Sequence, residues 1–181
     1  VGGSLVEASL WSPALAPEGR GRSCLLLDEA GAAHSLASPC GEAANAPAER
    51  VEVAPLGAII AEADPAVIRS GLLACLAQRV GAGIVSDKIA YLTGDDVPDS
   101  PFYDRFEVLE VTNLRPKAIA AALRSRDAGA VEIKKRGADI NPEDLRQSLK
   151  LRGGTKDLTV IATRLEGRHR AVICRRLPAN L

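Results

Sequence analysis

Methionine is absent from the whole chain, aromatic residues make up only 3% of it, and histidine occurs twice, at His34 and His169. Each shortage excludes something. Translation begins on Met, so a chain opening Val1-Gly2-Gly3-Ser4 is expected to be a processed product or a fragment of something longer. With so few rings the core must be aliphatic. No run approaches the roughly eighteen apolar residues of a membrane helix, and no basic-plus-apolar signal segment opens the chain. The four cysteines, Cys24, Cys40, Cys75 and Cys174, form no CxxC pair. With two histidines besides, no zinc-ligand spacing exists and no metal site is expected. An even count leaves disulfides open, but buried reduced thiols in a cytoplasmic protein are the simpler account.

What remains is ordinary for a folded domain: 181 residues, 46% hydrophobic and 25% charged, at zero net charge. That zero hides a split. Residues 1–112 hold 7 Lys and Arg against 16 Asp and Glu, a net of −9; residues 113–181 hold 16 against 7, a net of +9. Such a division implies either two parts that attract each other or a basic surface for a polyanion.

Taken in order, Leu5–Leu10 and Ser23–Asp28 are expected strands, with His34–Ala37 pairing back as a hairpin. The Pro/Ala/Gly-rich stretch from Ser38 to Arg50 is the linker candidate. This gives a β-rich segment over 1–50 and an α/β domain over 51–181. Asp64-Pro65 starts a helix that periodicity carries to Val80. Strands follow at Ile84-Val85, Ile89–Thr93 and Phe106–Val111, with an acidic loop between the last two. A helix runs from Pro116 to about Arg126. Val131 and Ile133 alternate with Glu132 and Lys134 as in a half-buried strand. Asn141-Pro142-Glu143-Asp144 then caps a short helix that ends at Arg152-Gly153-Gly154. Leu158–Leu165 and Ala171–Cys174 close the chain as a hairpin.

No nucleophile–histidine–acid set stands out, so a free-standing hydrolase has nothing to support it. Gly81-Ala82-Gly83 follows a helix rather than a strand, the wrong context for a nucleotide loop. Asp95, Asp96, Asp99 and Asp104 match no cation-loop spacing and read as a solvated loop. The surviving signal is cationic: Arg124 and Arg126 on one helix, Lys134, Lys135 and Arg136 on the next strand, Arg146 and Lys150 on the helix after it. Arg164 to Arg176 decorate the last hairpin. On Lys134–Arg136 two readings stand: cations that blunt an edge strand, or a phosphate site. Stacking aromatics are missing from this third, so shape or end recognition fits better than base reading.

Several pieces together, EADPAVIRSGL (62–72), IAYLTGD (89–95), FEVLEV (106–111) and above all VEIKKRGADINPEDLRQSL (131–149), resemble the C-terminal part of bacterial class I SAM-dependent methyltransferases that carry a THUMP-like domain. The resemblance spans roughly 55–181. KKRG-(x)4-PE-x-LR is its most specific element, and the Arg and Ala bias looks actinobacterial. Residues 1–36 are similar to the closing strands of the methyltransferase sheet in those proteins. The resemblance implies a mixed-sheet THUMP-like α/β domain preceded by a small β-hairpin remnant of that sheet. It also implies an upstream methyltransferase domain with a glycine-rich SAM loop. That loop is not in this sequence, so SAM is expected for the full-length protein only, no cofactor for this chain, and no activity alone. The expected role is presentation of nucleic acid, RNA by that resemblance, with Lys134, Lys135, Arg136, Arg146, Lys150, Arg124 and Arg126 on phosphates. The alternative is a structural or homodimerising module held by acidic–basic complementarity.

Overall fold

A computed structural model describes residues 6–16, 21–28, 30–38, 50–151 and 153–179. Strands β1 (Ser23–Leu27) and β2 (Ala33–Ala37) form the expected antiparallel hairpin. Their period of two turns Cys24, Leu26 and Leu36 inward and leaves Leu25 exposed. The expected strand at 5–10 does not form. Residues 6–12 have no regular structure, Pro13–Leu15 is a single 3-10 turn, and Leu5 lies outside the described residues. Val6 and Leu10 stand exposed, and an apolar alternation without a strand to pair with has nothing to hold it extended. Most of the linker stretch, residues 39–49, also lies outside the described residues.

The remaining strands make one mixed sheet. They are β3 (Ile59–Ala63), β4 (Gly83–Ser86), β5 (Ile89–Gly94), β6 (Tyr103–Asn113), β7 (Ala128–Lys135), β8 (Lys156–Leu165) and β9 (Arg168–Arg176). The order across the sheet is β4-β5-β3-β6-β9-β8-β7. Every neighbouring pair is antiparallel except β7 and β8, which run parallel because a helix carries the chain back between them. The helices are α1 (Pro65–Arg69), α2 (Leu73–Val80), α3 (Pro116–Arg124) and α4 (Pro142–Leu149).

Two helix expectations need correction. The single helix from Pro65 to Val80 is two. Asp64 caps it as expected, accepting from the Ala66 N–H at 2.7 Å, but the backbone turns left-handed at Gly71, φ +73°, and restarts at Leu73. Asn141 likewise caps α4, accepting from the Glu143 N–H at 2.9 Å. That helix ends at Lys150, φ +47°, ahead of the two glycines; Arg152 is outside the described residues. A lysine there costs about 1 kcal/mol relative to glycine.

All four helices pack on one face of the sheet. The hairpin, α1 and α2 share a core with Ala61, Leu92 and Tyr103; α3 and α4 cover Val131, Ile133, Val160 and Ile173. The opposite face is covered by strands alone: Ile60, Tyr91, Phe106, Ile161, Val172 and Cys174 are all fully buried there. A flat sheet could not bury them. The sheet curls until β4 packs against β8, so this face becomes the inside of a half-closed roll. Cys174 illustrates how dry it is: burial pushes its thiol up to about 12. Cys24 and Cys174 are buried free thiols.

Candidate nucleic-acid interface

The cation run sits at the end of β7, the edge strand of the seven. Strand geometry divides it. Val131 and Ile133 face the helices, so Lys135 lies on their side, while Glu132, Lys134 and the following Arg136 point into the roll. Three neighbours in sequence therefore do not make one patch.

Inside the roll the cations meet carboxylates from distant strands. Lys134 Nζ lies 2.6 Å from Glu62 of β3 and 3.3 Å from Glu132. Between β7 and β3 the sheet counts four steps, roughly 19 Å if flat at about 4.8 Å each, so this contact exists only because the sheet curls. Arg136 approaches the same Glu62 at 4.0 Å. Arg176 bridges Asp104 at 2.6 Å and Glu132 at 2.9 Å. Beneath this ladder lie two rings. Phe106 has Arg176 4.7 Å and Lys134 5.7 Å from its centroid, and Tyr91 has Arg136 at 5.6 Å. Burial, reinforced by the Glu62 charge, pushes the Tyr91 phenol far above its ordinary value. Both rings are fully buried, so they seat cations and offer no face to a base.

The other expected contacts lie on the helix side. Arg124 donates to the Leu149 carbonyl at 3.1 Å, tying α3 to the end of α4. Arg126 pairs with Glu110 and donates to the Ala122 and Leu109 carbonyls. Arg146 lies 3.6 Å from Glu143 one turn back. Lys135 donates to the Ile140 carbonyl at 2.7 Å. Lys150 is exposed at the end of α4. Thus Lys134, Arg136, Arg126 and Arg146 face carboxylates, whereas Arg124, Lys135 and Lys150 have no carboxylate partner among the described residues. The partners Glu62 and Asp104 were not legible as partners in sequence; only the acidic–basic split hinted at them.

The acidic loop is similarly tied down. Asp95 accepts from the Ala58 N–H, Asp99 pairs with Arg105 at 3.2 Å and Asp104 with Arg176. Among the described residues no group of three His, Cys, Asp or Glu side chains is placed to hold a metal. His34 pairs with Asp28 at 3.0 Å, beside a groove of about 480 Å³ also lined by Arg79, Asp99 and Ser100. The Gly81-Ala82-Gly83 turn does not have the setting of a SAM loop. Gly81-Ala82-Gly83 joins a helix to a strand, the reverse of a nucleotide loop, and a Cβ on Gly83 would lie 2.5 Å from Ala54, so that glycine admits a neighbouring segment rather than a ligand.

The ladder makes stability depend on acid. Burial alone would raise the Glu132 carboxyl; the Arg176 hydrogen bond and the Lys134 charge outweigh it and hold the group below its ordinary 4.5. A depressed carboxyl contributes stability that is complete above 4.5 and is lost as the pH falls through its folded value. In urea titrations, Glu132→Gln should lower stability at neutral pH by about 1 kcal/mol, discounted for exposure, and should flatten the decline below pH 4.5. An unchanged decline would show that other carboxylates govern it.

Three comparisons bear on this geometry. Residues 104–176, which run from the start of β6 through β9, match the family model THUMP domain-like. The chain is 36% identical over 164 residues to uncharacterized S-adenosylmethionine-dependent methyltransferases from two strains of Mycobacterium tuberculosis, an actinobacterium; the match takes in 90% of this chain and 42% of theirs. The chain thus spans under half the length of these relatives. A crystal structure from Porphyromonas gingivalis W83, of a protein assigned as a methyltransferase, superposes with a TM-score of 0.65 at 18% identity over 90% of this chain and 39% of that one, a likeness of fold. Residues 104–176 are therefore a THUMP-like domain, carried by a chain that is a relative of the S-adenosylmethionine-dependent methyltransferases.

Proposed function

We propose that this chain presents RNA to the catalytic domain of a SAM-dependent methyltransferase in the cytoplasm. The SAM-binding domain would lie upstream, in the share of the relatives that this chain does not span. The observation that supports the reading best is the charge left over. After internal pairing, the THUMP-like region keeps exposed cations, Arg124, Lys135 and Lys150 among them, that have no carboxylate partner among the described residues. The chain's own chemistry is then to hold phosphates and orient the RNA, with no bond made or broken on its residues. The buried free thiols of Cys24 and Cys174 suit a reducing compartment.

The test is binding of unfractionated bacterial tRNA to the 181-residue chain across a salt series. With about four phosphate contacts, log affinity should fall with log salt at a slope near −3. A flat dependence, or no binding at micromolar protein, removes the proposal.

One observation favours the second reading, a structural module held by opposite charges. Among the described residues, five ion pairs join the acidic and basic parts of the chain: Glu62 with Lys134 and Arg136, Asp104 with Arg176, Glu107 with Arg175, and Glu110 with Arg126. Sedimentation at low and high salt discriminates. A salt-sensitive dimer without tRNA affinity would favour this reading; a monomer that binds tRNA would favour the first.

A further inference from the structure

The proposed RNA role leaves open where the phosphates sit. Most cations of the strand run are held inside the roll, so the contact surface must be sought where charge is both exposed and unanswered. Two segments satisfy this together. One is the passage from β6 into α3, residues 113–117, with Arg115 and Lys117. The other is the tip of the β8–β9 hairpin, residues 164–170, with Arg164, Arg168 and Arg170. Adjacent strands bring the two side by side: Asn113 is the register partner of Arg170, and Arg170 donates to the Asn113 side chain. The pleat sets Arg164 on the helix side and Arg168 and Arg170 on the roll side with Leu165 and Val172, so the cations ring the end of the sheet rather than share one face. Arg115, Lys117, Arg164 and Arg168 are exposed and Arg170 half-buried.

The charge here is not spent internally. The partners of Arg164 and Arg170 are not carboxylates: the His169 ring lies 3.4 Å from Arg164, and the Asn113 side-chain amide accepts from Arg170. Among the described residues Arg115, Lys117 and Arg168 have no ion-pair partner. Glu166 is the only acid in the two segments, and no acidic side chain stands in the first turn of α3. Five cations against one carboxylate leave the end of the sheet with a net positive charge for an anion to answer. The arrangement is also rigid where it must be: Glu166 and Gly167 are both left-handed, φ +47° and +74°, making a two-residue turn matched to strand twist, so the arginines are carried on a short, defined hairpin.

The geometry points to this sheet end, Arg115, Lys117, Arg164, Arg168 and Arg170, as the surface that grips the RNA phosphate backbone. It rests on the RNA-presenting reading and names its site. The strand-run cations Lys134 and Arg136 then serve the fold. Neither segment holds Phe, Tyr or Trp, and His169 is the one ring in them that a base could stack on, so the grip reads chiefly backbone shape rather than sequence.

Two triple variants with equal loss of charge test it. Arg115→Gln/Lys117→Gln/Arg168→Gln removes the sheet-end cations; Lys135→Gln/Arg146→Gln/Lys150→Gln removes those of the β7 end and α4. Binding of unfractionated tRNA should weaken at least about tenfold in the first, with a salt slope shallower by about 2, and by no more than about threefold in the second. Equal loss in both, or a larger loss in the second, overturns the assignment while leaving the RNA role standing. Absence of salt-dependent binding by the unmodified chain instead overturns the role itself. Ultraviolet crosslinking of tRNA to the unmodified chain gives a reading independent of the variants' folding: crosslinked peptides should contain residues 113–117 or 164–170, and crosslinks confined to α4 would refute the site.

Discussion

Replacing Gly154 with alanine is expected to cost more than about 3 kcal/mol and to leave little folded protein at 37 °C. A Cβ at this position would lie 2.2 Å from the Ala128 carbonyl oxygen and 2.3 Å from its carbon, with the Asp127 oxygen at 2.6 Å. These are backbone atoms, which cannot swing aside as a side chain would. Gly129 has the reciprocal constraint, its Cβ falling 2.1 Å from the Gly154 oxygen. The contact sits where the ladder between β7 and β8 slips, from Ala128 opposite Lys156 to Ala130 opposite Asp157, and where the Asp127 carbonyl accepts from both Thr155 and Lys156. The two parallel strands start here, so moving the backbone apart would unseat their whole pairing. Gly153, one residue earlier, is the control. It is left-handed, φ +74°, with open space around it, so Gly153→Ala should cost only about 1 kcal/mol. Urea unfolding of both variants measures the difference. Equal costs would mean that backbone conformation, not close approach, governs the site.

Phe106→Ala should cost about 3–5 kcal/mol and lower the melting temperature by on the order of 10 °C. The ring is fully buried on β6, with β3 and β9 pairing on either side. It fills the inside of the roll among Ile60, Ile161 and Val172 and seats Lys134 and Arg176 over its face. Truncation opens a cavity and removes a cushion from two cations at once. Phe106→Leu separates the contributions: volume is mostly kept, so a loss of about 1–1.5 kcal/mol would be repacking plus the cation contacts. Should the leucine variant match the alanine variant, cavity volume is not what the ring contributes.

Local features were readable in advance wherever short-range physics sets them. Asp64-Pro65 and Asn141-Pro142 declare helix starts through an oxygen and a fixed φ, and both oxygens accept the expected N–H. The alternation of Val131 and Ile133 declares a strand with one apolar face. The final hairpin follows from two apolar runs around a turn. By contrast, Leu5–Leu10 has the pattern of a strand but no described strand beside it, and the break at Gly71 interrupts a periodicity that otherwise favours one helix.

The candidate surface was harder. Lys134, Lys135 and Arg136 look like a single patch in sequence, yet a pleat of two sends them to opposite faces, and sheet curl brings Glu62 to Lys134, which also meets Glu132 two residues back on its own strand. Arg164, Arg168 and Arg170 are no denser in sequence than other arginines here. They acquire significance because Asn113 lies opposite Arg170 across the sheet. The order of residues alone settles where the Asp64-Pro65 and Asn141-Pro142 helices start, the alternation of β7, the aliphatic core and the surplus of positive charge near the C-terminal end, because each depends on neighbours a few bonds away. Which cations remain free to meet an anion depends on pairs such as Glu62 and Lys134, 72 positions apart, and electrostatic neutralisation acts through a few ångströms of space that exist only once the sheet has rolled up.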